Sequence, residues 1–230
     1  MNREDEVPDQ VPIPCRRFVN RLFSALRLVG AIRLAFDVRK LAIAALGLAL
    51  CGASASPALA MDQAAQRIST YYATLLPAVT AARGLGVAER ARHISAAILS
   101  AFDIATMTRL AVGPSWSSFS GAERSETIEA FSKFIVADYA NQLGDYSGET
   151  YRVEPDVGAR GGDQIVKTWL GSTEIDYLVR GSRIIDVYAN GTVSELAARR
   201  AEFSSILASN GGPQGLAGEL RQRTPQLLGG

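Results

Sequence analysis

Beyond residue 60 the sequence contains no cysteine, because its two, Cys15 and Cys51, both come earlier. That region therefore offers no disulfide, no thiolate nucleophile and no cysteine-ligated metal. Histidine is nearly as scarce. His93 stands alone between Arg92 and Ile94, so any Ser-His-Asp set would have to use it, and its polar surroundings mark it as a surface residue. The 21 glycines are scattered, with no P-loop or dinucleotide-binding spacing among them. Charge of one sign is also lacking. The chain carries a formal +1, with 24 Lys or Arg against 23 Asp or Glu. Nucleic-acid interfaces need a basic patch, so this balance argues against one. About 170 residues follow position 60, a length that buries roughly 70% of its unfolded surface and can dispense with disulfides.

The first 60 residues differ from the rest. Arg33, Arg39 and Lys40 precede the apolar run Leu41 to Leu50, and a small, breaker-rich stretch ends in Ala58-Leu59-Ala60. This is the order of a secretory signal peptide with an unusually long n-region. The expectation is cleavage after Ala60, leaving residues 61–230 as one exported domain. The run is shorter than the roughly 20 apolar residues of a membrane span. Leu50 is too large for the position before a lipid-modified cysteine at Cys51. The twin arginines Arg16-Arg17 lie too far from the apolar run to act with it.

Helical periodicity comes next. Ile68, Tyr71, Tyr72, Leu75 and Leu76 form one face of a helix predicted over Met61 to Arg83, with Pro77 ending or kinking it. A second helix is predicted over Val87–Ala101 and a third over Ile104–Val112, stopped by Gly113-Pro114. The strongest signal follows. Ser120 and Glu123 make a capping box, and Ile128, Phe131, Ile135 and Tyr139 recur at steps of three and four behind it. Phe134, Val136 and Leu143 widen that arc. Arg124, Glu126, Glu129, Lys133 and Asp138 are expected on the opposite, polar side.

After Gly148 the pattern alternates. Strands are predicted over 150–157, 164–170, 173–180 and 183–188, joined by turns at Gly161-Gly162, Gly171-Ser172 and Gly181-Ser182, the last two of type II′. Such tight connections make an antiparallel meander. A second capping box, Thr192 to Glu195, is expected to start a helix through about Ala208 with Leu196, Phe203, Ile206 and Leu207 inward. A weaker helix, Gln214 to Arg223, precedes a loose tail after Pro225. The order implies an α+β domain, with helices on one side of a curved four-stranded antiparallel sheet that encloses an apolar pocket.

Reactive groups are few. Asp176 and Asp186 fall within strands, where either could serve as general base in a pocketed fold of the ketosteroid-isomerase type. The plainer reading has them facing solvent or pairing with Arg180, Lys167 or Arg183 across strands. No cofactor or metal ligand set is visible. Large apolar residues dominate instead, which favours binding over catalysis. The candidate walls of an apolar ligand pocket are Met107, Leu110, Trp116, Phe131, Phe134, Ile135 and Tyr139 from the helices, Ile175, Tyr177, Val179 and Val187 from the strands, and Phe203 and Leu207 beyond them. A filled envelope scaffold is the third reading.

Several pieces also carry a family resemblance. Phe102-Asp103, VGPSW at Val112 to Trp116, YANQLGDYSGE at Tyr139 to Glu149, DYLVR at Asp176 to Arg180, and the run Ile184 to Leu207 resemble, in order and spacing, the MlaC family. These are periplasmic lipid-binding proteins, also called toluene-tolerance auxiliary components of an ABC transport system. SWSSFS at Ser115 to Ser120, the same YANQLGDYSGE and GTVSELAARRAEFSSIL at Gly191 to Leu207 look particularly like its hopanoid-associated HpnM branch. The resemblance implies a non-enzymatic carrier of phospholipid or hopanoid between inner-membrane and outer-membrane complexes, serving outer membrane asymmetry. Arg183-Ile184 stands where many relatives open the fourth strand with tryptophan, and the Gly171-Ser172 hairpin is shorter than in many of them.

Overall fold

The computed structural model describes residues 61–209 and 211–229; the predicted signal peptide, its cleavage site and both cysteines lie outside the described residues. Four helices come first: α1 (Gln63–Ala81), α2 (Val87–Ala101), α3 (Ile104–Val112) and, after a 3₁₀ turn at Gly113–Ser118, α4 (Gly121–Gln142). Six strands follow, β1 (Tyr151–Val153), β2 (Gly158–Arg160), β3 (Asp163–Leu170), β4 (Thr173–Arg180), β5 (Arg183–Ala189) and β6 (Val193–Ser194). The helices α5 (Glu195–Ser209) and α6 (Gly212–Leu227) close the chain. The class is α+β, as the sequence indicates.

Local chemistry sets most helix starts. At α4 the Ser120 hydroxyl oxygen accepts from the Glu123 N–H at 3.3 Å, and the Glu123 carboxylate accepts from the Ser120 N–H at 2.7 Å. The predicted capping box is therefore present, and each half satisfies a donor that the first helical turn leaves unpaired. Asp103 caps α3 in the same manner, accepting from Thr106 at 3.0 Å. Neither of two prolines ends its helix. Both α1 and α6 run through theirs, Pro77 and Pro225. Each lacks the N–H that would reach the carbonyl four residues back. Those carbonyls belong to Ala73 and Arg221, both on exposed positions, where water can replace the missing bond. The tail is not loose either, since Leu227 and Leu228 pack against the core.

All strand pairings are antiparallel, in the order β1-β3-β4-β5-β6, with β2 paired to β3. The expected first strand over 150–157 divides into β1 and β2, and β6 adds a short pair, so six strands replace the predicted four. A bulge interrupts the β4–β5 register between Leu178 and Val179. The hairpin glycines Gly171 and Gly181 have φ of 59° and 60°, which a type II′ turn requires at that position. At α5 the expected capping box at Thr192 does not form. Glu195 is already the first helical residue, and Ser194 and Asp186 do the capping. The Ser194 oxygen accepts from Ala197 at 2.9 Å, while Asp186 accepts from Leu196 at 3.0 Å and from the Ser194 hydroxyl at 2.6 Å.

One apolar core joins the helices to the face of the sheet that carries Val166, Ile175, Tyr177, Val179 and Val187. The centre of the helical layer is α4, which packs against α2, α3 and α6. Being enclosed, it buries more than one stripe: Thr127, Ala130 and every residue from Phe134 to Ala140. Asp138, expected on the polar side, is among them. Its carboxylate pairs with Arg199 at 2.5 Å, a partner the sequence places 61 residues away.

Candidate functional site

Ten of the thirteen predicted wall residues lie in this one core: Met107, Phe131, Phe134, Ile135, Tyr139, Ile175, Tyr177, Val179, Val187 and Phe203. Trp116 and Leu207 are half-buried and pack on its edge; Leu110 is half-buried and stands apart from it. Under α4 the rings interlock. Phe131 meets Phe203 edge-on at 5.4 Å and stacks near Phe134 at 6.4 Å. Trp116 rests on Phe119 at 5.5 Å, with the Arg124 guanidinium 5.6 Å from its ring.

The other half of the interior, between α1 and the sheet, is built from tyrosines. Tyr71 and Tyr72 are adjacent on α1, and their rings lie 5.7 Å apart. Tyr177 on β4 meets both edge-on at 5.9 Å. The Tyr177 hydroxyl donates to that of Tyr72 at 3.0 Å, and Tyr72 bonds the Thr168 hydroxyl at 3.1 Å. Tyr139 donates to the Glu195 carboxylate at 3.3 Å. Tyr71 is the exception. Its hydroxyl is buried and has no hydrogen-bond partner among the described residues. An unsatisfied buried polar group costs about 1–3 kcal/mol. Burial pushes the Tyr71 phenol well above its ordinary pKa, with the neighbouring Tyr72 and Glu195 adding to the rise. Burial also lifts the Glu195 carboxyl to about 7, against the opposing pull of Arg199 at 3.9 Å.

Tyr71 also lines a crevice of about 200 Å³ between α1, α2 and the β4–β5 hairpin. Ile68, Ala97, Ala101, Val179 and Ile184 form its apolar floor. Arg67, Thr70, Thr74, Ser100 and Ser182 form a rim of hydroxyls and one cation. The hairpin is fixed there by Arg183, which donates to the carbonyls of Leu99 at 3.0 Å and Phe102 at 2.7 Å and so caps the end of α2. Two larger clefts are more open. One, of about 510 Å³, lies between α2, α4 and α6 against Leu99 and Val136; the other, of about 690 Å³, lies between α1 and β1 against Leu76 and Tyr151. The smaller crevice is the better candidate, because it is the most enclosed of the three, joins a polar mouth to the helix–sheet interior and holds the unpartnered Tyr71 hydroxyl.

The aspartates considered as bases are placed elsewhere. The register sets Asp176 opposite Lys167 and Tyr188, on the sheet face turned away from the helical layer. Burial raises its pKa and Lys167 opposes the rise. Both aspartates are buried, so the solvent-facing half of the plainer reading fails, whereas its cross-strand half holds in that Asp176 sits across from Lys167. Arg180 pairs with Asp163 at 2.7 Å instead, and Asp186 is engaged in capping α5. His93 is exposed on α2. Among the described residues no group of three or more His, Cys, Asp or Glu is arranged to hold a metal, and no helix is long and apolar enough to cross a membrane.

Sequence reasoning missed Arg67, Thr168 and Glu195 as members of the interior or its mouth. Thr168 alternates with Val166 on the inward face of β3, and that alternation is the one local signal available.

Comparison with known proteins agrees with this architecture. In fold the chain is similar to the phospholipid-binding protein from Ralstonia solanacearum, solved in complex with a phospholipid. The TM-score is 0.62 at 20% identity, covering 71% of this chain and 98% of that one. No curated protein sequence matches. The MlaC protein family matches residues 73–222, from the middle of α1 to the last turns of α6. Since that match takes in well over half of the 230 residues, the chain belongs to the MlaC family.

Proposed function

We propose that this protein is a periplasmic lipid carrier that shuttles phospholipid or hopanoid between inner-membrane and outer-membrane transport complexes, as an auxiliary component of an ABC transport system. The observation that carries the reading is the crevice, whose cationic, hydroxyl-bearing rim opens onto an apolar floor continuous with the core. This is the polarity order of an amphiphile, with the headgroup at the mouth and the tails inside. Family membership and the phospholipid bound by the Ralstonia protein support it. The SWSSFS and GTVSELAARRAEFSSIL segments favour the hopanoid-associated HpnM branch.

Each CH₂ withdrawn from water is worth about 0.8 kcal/mol, so a lipid crosses an aqueous compartment only inside a substitute for the membrane. At about 200 Å³ the crevice is smaller than the roughly 300–1,000 Å³ of ordinary ligand pockets. Loading therefore requires the helical layer and the sheet to part along it. Catalysis is not part of the proposal: Asp186 is committed to a helix cap, and Asp176 lies on the far face of the sheet.

Mass spectrometry of solvent extracts from natively purified protein tests the reading, with membrane lipid expected at close to one per chain. Val179→Gln and Ile184→Gln place a polar amide in the apolar floor of the crevice, and each is expected to fold and to purify without lipid. Wild type that carries no lipid, together with variants that all unfold, would instead identify a filled scaffold. Turnover of any substrate that Asp176→Asn abolishes would favour the enzyme reading.

A further inference from the structure

Four tyrosines converge on the interior, and among the described residues only one of them lacks a partner for its hydroxyl. Tyr72, Tyr177 and Tyr139 are all hydrogen-bonded; Tyr71, the one that lines the crevice, is not. Tyr71 is 4% exposed, so water at the surface does not serve it. Arg67 stands one helical turn before it on α1, at the mouth of the same crevice, and no acidic residue lines that crevice. Side chains four apart on a helix are neighbours, about 5–6 Å between Cβ atoms. The pair therefore presents a cation at the surface and an unused hydroxyl donor just below it.

We infer that Arg67 and Tyr71 together read the polar–apolar junction of the cargo. Arg67 takes an anionic group, and the Tyr71 hydroxyl donates to an oxygen one step further in. The ligand class is an anionic lipid with ester-linked tails, whose carbonyl lies between the charged group and the hydrocarbon. This rests on the carrier reading and narrows it. A hydroxyl with no internal partner loses nothing by turning to a ligand, whereas the bonded Tyr72 and Tyr177 would have to break a contact first.

The test offers vesicles to delipidated protein and measures lipid per chain by mass spectrometry. One set contains phosphatidylglycerol with ester-linked tails, a second its ether-linked analogue with the same headgroup and chain lengths, and a third diacylglycerol with the same acyl chains. Wild type is expected to take the ester form about fivefold over the ether form, the ratio that about 1 kcal/mol of hydrogen bonding gives at 1.4 kcal/mol per tenfold. Tyr71→Phe should bring that ratio to one, and its ligand-free melting temperature should equal or exceed wild type. Arg67→Gln should shrink the preference for phosphatidylglycerol over diacylglycerol. The inference is overturned by a wild type indifferent to the linkage, by Tyr71→Phe keeping the preference, or by Tyr71→Phe melting several degrees lower, which would reveal an internal partner for the hydroxyl. Wild type that takes none of the three lipids overturns this inference, while lipid in the native extracts decides the carrier reading separately.

Discussion

The two halves of the interior are equally buried and chemically unlike. Under α4, Phe131, Phe134, Ile135 and Phe203 meet carbon to carbon, with exposures of 4% or less. Between α1 and the sheet, Tyr71, Tyr72 and Tyr177 are just as buried, and every ring carries an oxygen. An apolar half is stabilised by density alone, and a void there costs lost contacts. A hydroxyl half is stabilised only as far as its hydrogen bonds are complete, and here one is not. Depth of burial thus does not separate the part that holds the fold from the part suited to a ligand. Polarity does, together with the unmet Tyr71 hydroxyl at the crevice; the other two buried atoms without a partner, Arg124 Nε and Asp176 Oδ1, lie outside it.

The largest expected effect breaks the first half. Phe131→Ala and Phe203→Ala should each lower the unfolding free energy by about 3–5 kcal/mol, measured by urea titration. A loss below about 1 kcal/mol would mean that the phenylalanine half is not close-packed, and the contrast would collapse.

Next in size is the pH dependence of Glu195, which sits at the junction of the halves. It faces Tyr139 and Asp138 from α4, Arg199 from its own helix, Asp186 from β5 and Tyr71 from α1. Its folded pKa, about 7, lies above the ordinary carboxyl value, so folding favours the protonated form. The associated stability is fully present below about pH 4.5, declines as pH rises and is gone above about 7. The swing is on the order of 2–3 kcal/mol. Thermal melting from pH 4.5 to 8 should show it, and Glu195→Gln should flatten that part of the profile. An unchanged profile in the variant would assign the dependence to other groups.

The smallest effects sharpen the contrast within the tyrosine half. Tyr72→Phe removes two hydrogen bonds at once and leaves the Tyr177 hydroxyl without its acceptor, so it should cost about 1–2 kcal/mol. Tyr71→Phe removes none and should be neutral or slightly stabilising. Equal costs for the two would erase the distinction between the bonded and the unbonded ring.

Much of this architecture was legible in the sequence, and the legible parts share a cause. The limits of α2 and α3, the Ser120–Glu123 box and the glycines at 171 and 181 are all decided within a few residues, by capping, sterics and turn geometry. Local rules also misled where a local pattern had a distant competitor. The Thr192–Glu195 pattern fits a capping box, yet Asp186 from β5 reaches the same helix start and Glu195 turns inward to Tyr139 instead. Pro77 and Pro225 read as breakers because the sequence does not say which carbonyl they would strand, or whether water reaches it.

Residues a few positions apart set the class of the fold, the order of its elements, the α4 cap and the apolar character of the walls, because period and local hydrogen bonding act over a single turn or strand. Packing between distant elements is what buries Asp138 against Arg199, brings Tyr72 to Thr168 across 96 residues, and leaves Tyr71 without a partner among the described residues beside a crevice. Those outcomes depend on which elements pack together, and no window of neighbouring residues contains that information.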